Sequence, residues 1–211
     1  MMTTPTVYSL KPAFQGLLRP LARTLANLGI TANEVTLLAC VVSVGYGILL
    51  VWQTGSHAVL LLLPVLLFVR MALNALDGML AREFGQKSAV GAYLNELGDV
   101  ISDVGLYAPF AFWPEFDLRW MVAAVVLAVI SEMAGVVAVM AGASRRYDGP
   151  MGKSDRALVF GTLAAWRGVG WGIAPWAALL FAPLLVLLLS VTVVNRVRNG
   201  IAEANAGGIN G

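Results

Sequence analysis

The sequence predicts an all-α integral membrane protein, with six transmembrane helices preceded by an N-terminal interfacial amphipathic helix. Three observations predict it. Apolar residues make up 59% of the 211 and charged residues only 12%, with a mean hydropathy of +0.79, whereas soluble domains carry about 25% charged residues. Six apolar segments, at 34–52, 58–82, 91–113, 118–142, 154–171 and 173–195, come near the roughly 20 residues that a crossing needs. The basic residues fall almost entirely on one side of those segments.

The first element is different in kind. In 8–28, Leu10, Phe14, Leu17, Leu18, Leu21, Leu25 and Leu28 recur at helical spacing, while Lys11, Gln15, Arg19 and Arg23 step by four along another face. That pattern describes a helix lying on a membrane surface, bent at Pro20 and ended by Gly29. Met1–Ser9 lacks the basic start, short apolar run and small-residue cleavage site of a signal peptide. Thr31-Ala-Asn-Glu34 has the form of a capping box that starts the first span. The second and third spans are joined by the short 83–90 loop, which makes them antiparallel neighbours. The fifth span is interrupted by Arg167 and several glycines. The tail from Asn199 is rich in Gly and Asn and is expected to fray. The chain thus divides into a single membrane domain, 1–198, and a tail, 199–211.

Orientation follows from Lys and Arg. With the N-terminus in the cytoplasm, Lys11, Arg19, Arg23, Arg82, Lys87, Arg145, Arg146, Lys153, Arg156, Arg196 and Arg198 are cytoplasmic. Only Arg119 and Arg167 lie opposite, and Arg70 is inside the second span. Six crossings return the C-terminus to the cytoplasm. The expected location is a bacterial cytoplasmic (inner) membrane, and nothing in this distribution suggests nucleic acid as a partner. The single Cys40 excludes an internal disulfide and falls in an apolar run, so it reads as packing.

Acidic residues concentrate where they are costly. Asp77, Glu96, Asp99 and Asp103 sit in otherwise apolar spans, at about 2.5–3.5 kcal/mol each on insertion scales. Asn74, Asp77 and Ala81 share one face of the second helix, and Gly91, Asn95, Asp99 and Asp103 step by four along the third. Two antiparallel helices let these faces converge on one site. Carboxylates with amide carbonyls form an all-oxygen donor set suited to Mg²⁺, Mn²⁺ or Ca²⁺, with substrate phosphates completing the shell. Gly78 and Ala81 leave room beside the helix, and Arg82 is placed to meet a phosphate. The bland alternative is a buried polar network that only joins helices.

At these residues the sequence resembles the CDP-alcohol phosphotransferase family, whose signature is D-x2-D-G-x2-A-R-x8-G-x3-D-x3-D on two adjacent spans. Asp77, Gly78, Ala81, Arg82, Gly91 and Asp99 match it in type and spacing. The resemblance implies transfer of a substituted phosphate from a CDP-linked lipid, usually CDP-diacylglycerol, to a polar alcohol with release of CMP, in phospholipid biosynthesis. It implies Asp77 as a metal ligand and Asp99 as general base. Gly78, Ala81 and Arg82 would line the CDP site, with Mg²⁺ or Mn²⁺ as the cofactor. Ile30-Thr-Ala-Asn33-Glu-Val-Thr36 is similar to the family's T-P-N-x-x-T opening, which implies contact of Asn33 and Thr36 with the nucleotide. Relatives that use a phosphorylated alcohol place basic residues after the fourth span, and Arg145, Lys153 and Arg156 are the candidates here.

Two positions depart from the signature. Its first and third aspartates are Asn74 and Asn95, which ligate through oxygen but bring no charge, and this weakens a two-metal site. Glu96 or Asp103 can supply the missing charge, or one metal can suffice with arginines neutralising the rest. A different register would make Asp99 and Asp103 the third and fourth aspartates, at the expense of the Arg82 spacing. The rival readings are a catalytically impaired relative that binds CDP-lipid and, more remotely, a small ion-coupled transporter.

The remaining features are weighed singly. In the 144–156 loop, Gly149-Pro150 and Gly152 are expected to form a tight turn, and Ser154 is a candidate helix cap. Glu132, deep in the fourth span, either pairs with an arginine, serves the site or is a protonated core residue. Ala134, Ala138 and Gly142 make a small-residue stripe suited to close helix packing or a homodimer. His57 is expected in a solvated far-side loop, and Trp52, Trp113, Trp120 and Trp171 as interfacial anchors.

Overall fold

The structure, a computed structural model, describes residues 7–208, with side chains from Phe14 onward. It is helical throughout: α1 Val7–Asn27, α2 Ala32–Trp52, α3 His57–Glu83, α4 Ala89–Tyr107, a 3₁₀ turn at Ala108–Phe112, α5 Leu118–Met140, α6 Lys153–Gly168 and α7 Pro175–Gly208. Among the described residues, four helices (α2, α3, α5 and α7) are long and apolar enough to cross a membrane. The other two expected spans fall short of that length and composition. α4 has 19 residues but carries Glu96, Asp99 and Asp103, and α6 has only 16, with charge in its first and last turns. The third span was expected to reach 113, but Pro109 opens a 3₁₀ turn instead. The tail from Asn199 continues α7 as far as Gly208.

The helix boundaries have local causes. Thr31 and Glu34 form the anticipated box: Thr31 N–H donates to Glu34 Oε2 (2.7 Å), and Glu34 N–H donates to Thr31 Oγ1 (3.2 Å). Gly29 turns the chain at φ +77°, a conformation that other residues resist. α6 is capped by Asp155, which accepts the Gly152 N–H at 2.9 Å. Ser154, the expected cap, is therefore one residue inside the helix.

The chain forms two compact units. The first comprises α1, α2 as far as Gly45, and Leu66–Ser102. Its core is Ala22, Ala32, Val35, Leu76, Met79 and Leu80, packed on by Leu18, Leu25, Ala26, Ile30, Leu73, Ala81 and Phe84. α1 therefore uses Ala22, Leu18 and Leu25 to bind its neighbours and turns Leu17 and Leu21 outward. Leu10 and Lys11 lie outside the described side chains. Arg19 clamps Glu83 with two hydrogen bonds of 3.1 Å, and this pairing raises the Arg19 pKa further. Cys40 packs beside Gly98 as anticipated.

The second unit comprises Tyr46–Val65 and the chain from Asp103 onward. α5 packs along α7: the Gly200 position faces Ala138 so closely that an added Cβ would lie 3.2 Å from the Ala138 Cβ. Of the small-residue stripe, Ala138 is thus used for close helix packing within the chain, as one of its two readings expected. Gly47 meets the backbone of Gly105, where an added Cβ would lie 1.9 Å from the carbonyl oxygen. Tyr107 stacks on Phe160 (4.4 Å), and Phe110 contacts both Phe160 and Trp113. Trp113 is therefore a core residue and not an interfacial anchor, whereas Trp52, Trp120 and Trp171 are exposed. His57 is also engaged, with Nδ1 donating to the Gly168 carbonyl at 2.9 Å.

The outer faces of both units are apolar. Val41, Phe68, Leu179 and Leu187 are each more than half exposed. In water such a belt would be an aggregation surface, and in lipid it is the stable arrangement.

Candidate active site

The candidate site lies in the first unit, on α2, α3 and α4. Asp99 is held by α3: Asn74 Nδ2 donates to its Oδ1 at 3.1 Å. Arg70, one turn earlier and only 4% exposed, donates to the Asp99 carbonyl at 3.1 Å and lies 3.7 Å from its Oδ1. Asp77 is buried, and its Oδ2 accepts from the Thr36 hydroxyl at 2.8 Å. Thr36 in turn sits against the Ala32 carbonyl. A buried carboxylate needs such donors to remain an ion.

The glycines act through close approach. A Cβ at Gly78 would lie 2.9 Å from Arg82 Nη2, so the guanidinium folds back over the helix at that glycine. A Cβ at Gly91 would lie 2.8 Å from Asn33 Oδ1, so this glycine admits the Asn33 amide. Asn95 and Glu96 are half-buried on α4, one turn or less before Asp99. Ala81 packs against the apolar core of the unit, so its small size serves helix packing there.

The donor set suits a hard cation. With its Nδ2 on Asp99, the Asn74 amide keeps Oδ1 as its acceptor end, the end that a metal uses. Asp77, Asp99 and Asn95 add only oxygen donors, which fits Mg²⁺ or Mn²⁺. Among the described residues, no three His, Cys, Asp or Glu side chains converge.

The second unit contains a separate buried polar network. Asp103 Oδ2 accepts from Arg156 Nε (3.0 Å) and Nη2 (2.6 Å). Arg156 Nη2 also reaches Glu132 Oε1 at 2.8 Å. Arg196 and Arg145 approach Glu132 Oε2 at 3.3 and 3.4 Å. Of the three basic candidates from the loop, Arg156 is 1% exposed and fully engaged here. Arg145 is half-buried on the Tyr147 ring (4.5 Å), and Lys153 is half-buried at the start of α6. Nearby in the loop, Arg146 grips Asp148 with bonds of 2.7 and 2.8 Å. These bonds, outweighing a smaller effect of burial, hold the Asp148 carboxyl below its ordinary range.

The model of the CDP-alcohol phosphatidyltransferase family matches residues 29–204. The chain belongs to the CDP-alcohol phosphatidyltransferase family. Its members transfer substituted phosphate groups, so the protein is a transferase of that class, embedded in a membrane. It is 44% identical to the inner membrane protein YnbA of Escherichia coli over 92% of this chain and 96% of that one. It is 30% identical to phosphatidylinositol phosphate synthase of Mycobacterium marinum over 87% of this chain and 77% of that one. Its fold matches the crystal structure of the Mycobacterium tuberculosis phosphatidylinositol phosphate synthase with CDP-DAG bound, at a TM-score of 0.71 and 24% identity, covering 86% of this chain and 92% of that one.

Two arginines escaped the sequence reading, Arg70 at the site and Arg196 in the separate network of the second unit. Arg70 was visible as a charge inside an apolar span, which itself signals function or a buried partner. Arg196 was counted only toward orientation. Nothing in the periodicity of α7 points it at Glu132.

Proposed function

We propose that this family member transfers the phosphatidyl group of CDP-diacylglycerol to a polar alcohol and releases CMP, at the cytoplasmic face of a bacterial inner membrane. The observation that supports this reading most is the contact of Asn74, Arg70 and Asp99 across α3 and α4, inside a motif that matches the family. The hydroxyl oxygen of the acceptor attacks the phosphorus that bears diacylglycerol. The bond from that phosphorus to the CMP oxygen breaks, and the hydroxyl proton passes to the Asp99 carboxylate. Asn74 and Arg70 hold that carboxylate in position, and positioning is where phosphoryl-transfer enzymes obtain much of their rate. Arg82, folded against Gly78, offers a guanidinium to the CDP phosphates.

Asp77, Asp99, Asn74 and Asn95 would hold the cation, and Thr36 fixes Asp77 for that role. When bound, Mg²⁺ or Mn²⁺ neutralises the pyrophosphate and makes CMP a better leaving group. Two carboxylates suit one strongly held cation, with Arg70 supplying further positive charge beside Asp99. Asp103 belongs to the Arg156 network. Arg145, Lys153 and Arg156 remain the candidates for contact with a phosphorylated alcohol. The distribution of basic residues supports six crossings, with α4 and α6 as the two polar ones and both termini cytoplasmic.

Purified protein supplied with CDP-diacylglycerol, Mg²⁺ or Mn²⁺ and a panel of alcohols tests the reading. CMP release that vanishes in Asp99→Ala is the expected result. CDP-lipid binding with no CMP under any metal would make the protein an inactive binding relative, the reading favoured by the two asparagines.

A further inference from the structure

This inference rests on the cation-dependent transfer reading and adds a residue that shapes its site. The 83–90 segment joins α3 to α4 and also grips the start of α2. Gly85, at φ +70°, takes a left-handed turn that glycine adopts freely, and Gln86 follows it. Both ends of the Gln86 amide are used. Oε1 accepts the Ala32 N–H at 2.7 Å, and Nε2 donates to the Ile30 carbonyl at 3.4 Å. Ala32 is the first residue of α2, where an N–H has no acceptor within the helix. Its carbonyl lies 3.0 Å from Thr36 Oγ1, one turn on, and the Thr36 hydroxyl donates to buried Asp77 at 2.8 Å. Asn33, the next residue, has its Oδ1 beside Gly91, and Ser88 of the same segment accepts the Gly91 N–H at 2.9 Å.

We propose that Gln86 is a positioning residue for the cation site: it fixes the first turn of α2, and that turn aims the Thr36 hydroxyl at Asp77. The Thr31–Glu34 box caps α2 from within its own turn, so it cannot set that turn against α3. Ala32 and Val35 share an apolar core with Leu76 and Leu80, but apolar contact is non-directional and fixes rotation and sliding of the turn poorly. Hydrogen bonds carry direction. Gln86 supplies two of them from outside α2, to backbone groups on either side of Thr31. Thr36 acts on a carboxylate that α3 holds in the interior. A small shift of α2 therefore lengthens the 2.8 Å bond and lets the Asp77 carboxylate turn away from the cation.

The test measures Mn²⁺ affinity by electron paramagnetic resonance on the full-length protein in lipid, without CDP-lipid. Only the binding that Asp77→Asn removes is counted. Gln86→Met keeps the length of the side chain and lacks the amide. Its Mn²⁺ affinity should fall about tenfold, the lower end of what groups that orient a metal's ligands contribute, while its Tm in EDTA stays near the wild-type value. A merely structural clamp would do the reverse, lowering the Tm in EDTA and sparing the affinity. In a Thr36→Val background, Gln86→Met should add less than about a twofold loss, because its route to Asp77 is already cut. Unchanged affinity in Gln86→Met, or the full further loss in the Thr36→Val background, would overturn the inference. If Gln86→Met fails to fold, Gln86→Asn, one methylene too short to reach both backbone groups, takes its place under the same criteria. No Mn²⁺ binding at Asp77 in the wild type would overturn the inference and leave the transfer reading to CMP release. The expected losses of Mn²⁺ affinity without CMP from any alcohol would support the inference and overturn the transfer reading alone.

Discussion

Replacing Asn74 by Asp exposes the logic of the site most directly. In the structure, Asn74 is a hydrogen-bond donor to Asp99 Oδ1 at 3.1 Å. Asn74→Asp puts a second carboxylate oxygen at that distance and removes the donor. Two unit charges 3.1 Å apart repel by about 1 kcal/mol at the dielectric of water and about 5 kcal/mol at an effective dielectric near 20. Asp99 is partly exposed, with 23% of its side-chain surface accessible, so the lower half of that range applies. A divalent cation between the carboxylates reverses the sign, because each then gains a partner. The variant should therefore melt at least about 3 °C below wild type in EDTA, given that about 1 kcal/mol shifts Tm by roughly 2–4 °C in a chain of this size. Mg²⁺ should recover more than that loss, and CMP release should depend more steeply on Mg²⁺ than in wild type. Thermal unfolding of the solubilised protein across a Mg²⁺ titration measures both. Equal stability in EDTA, together with equal Mg²⁺ shifts for the two proteins, would refute the placement of a cation between α3 and α4.

Other residues give sharper single outcomes. Thr36→Val removes the hydroxyl that donates to buried Asp77; a hydrogen bond to a charged group contributes about 1.5–3 kcal/mol, so CMP release should fall by roughly 10- to 150-fold, and Thr36→Ser should retain most of it. Gly47→Ala would drive a methyl carbon to 1.9 Å from the Gly105 carbonyl oxygen; α2 must move, and overpacking of this kind costs about 1–3 kcal/mol or more, read as a lower Tm or loss of a monodisperse peak in gel filtration. Asp148 has its folded pKa held below the unfolded value by Arg146, so its contribution is fully present above the unfolded pKa and is lost as pH falls through the folded one. Hydrogen exchange in the 144–152 loop should then be flat from pH 8 to about 4 after correction for intrinsic rates, and rise only below the ordinary Asp value of about 3.9. Asp148→Asn should shrink that acid-dependent step and leave the part due to Glu203, which accepts from Ser144 and Arg146 in the same loop.

Much of this molecule is legible in one dimension. Composition and hydropathy determine that the chain is helical and lives in a bilayer, because a backbone in lipid must satisfy its own hydrogen bonds. Thr31 and Glu34 mark the start of α2, and Gly29 marks the end of the preceding turn, because capping chemistry is local. The spacing of Asn74, Asp77, Asn95 and Asp99 places them on facing stripes of two helices joined by a short loop. The third and fifth spans are the ones that hydropathy alone describes least well, because α4 carries three carboxylates and α6 has only 16 residues.

Tertiary structure alone decided which partners those side chains take. Helical periodicity says which face a residue occupies and nothing about the residue on the opposing helix. So Thr36 was read as touching a nucleotide, and it holds Asp77. Arg156 was read as a ligand for a substrate, and it is closed in by Asp103 and Glu132 from two other helices. The stripe of Ala134, Ala138 and Gly142 suited either close helix packing or a second copy of the chain, and Gly200 of α7 faces it at Ala138. A buried charge takes whichever counter-charge the packing of helices brings within about 3 Å, and that distance exists only once the chain has folded.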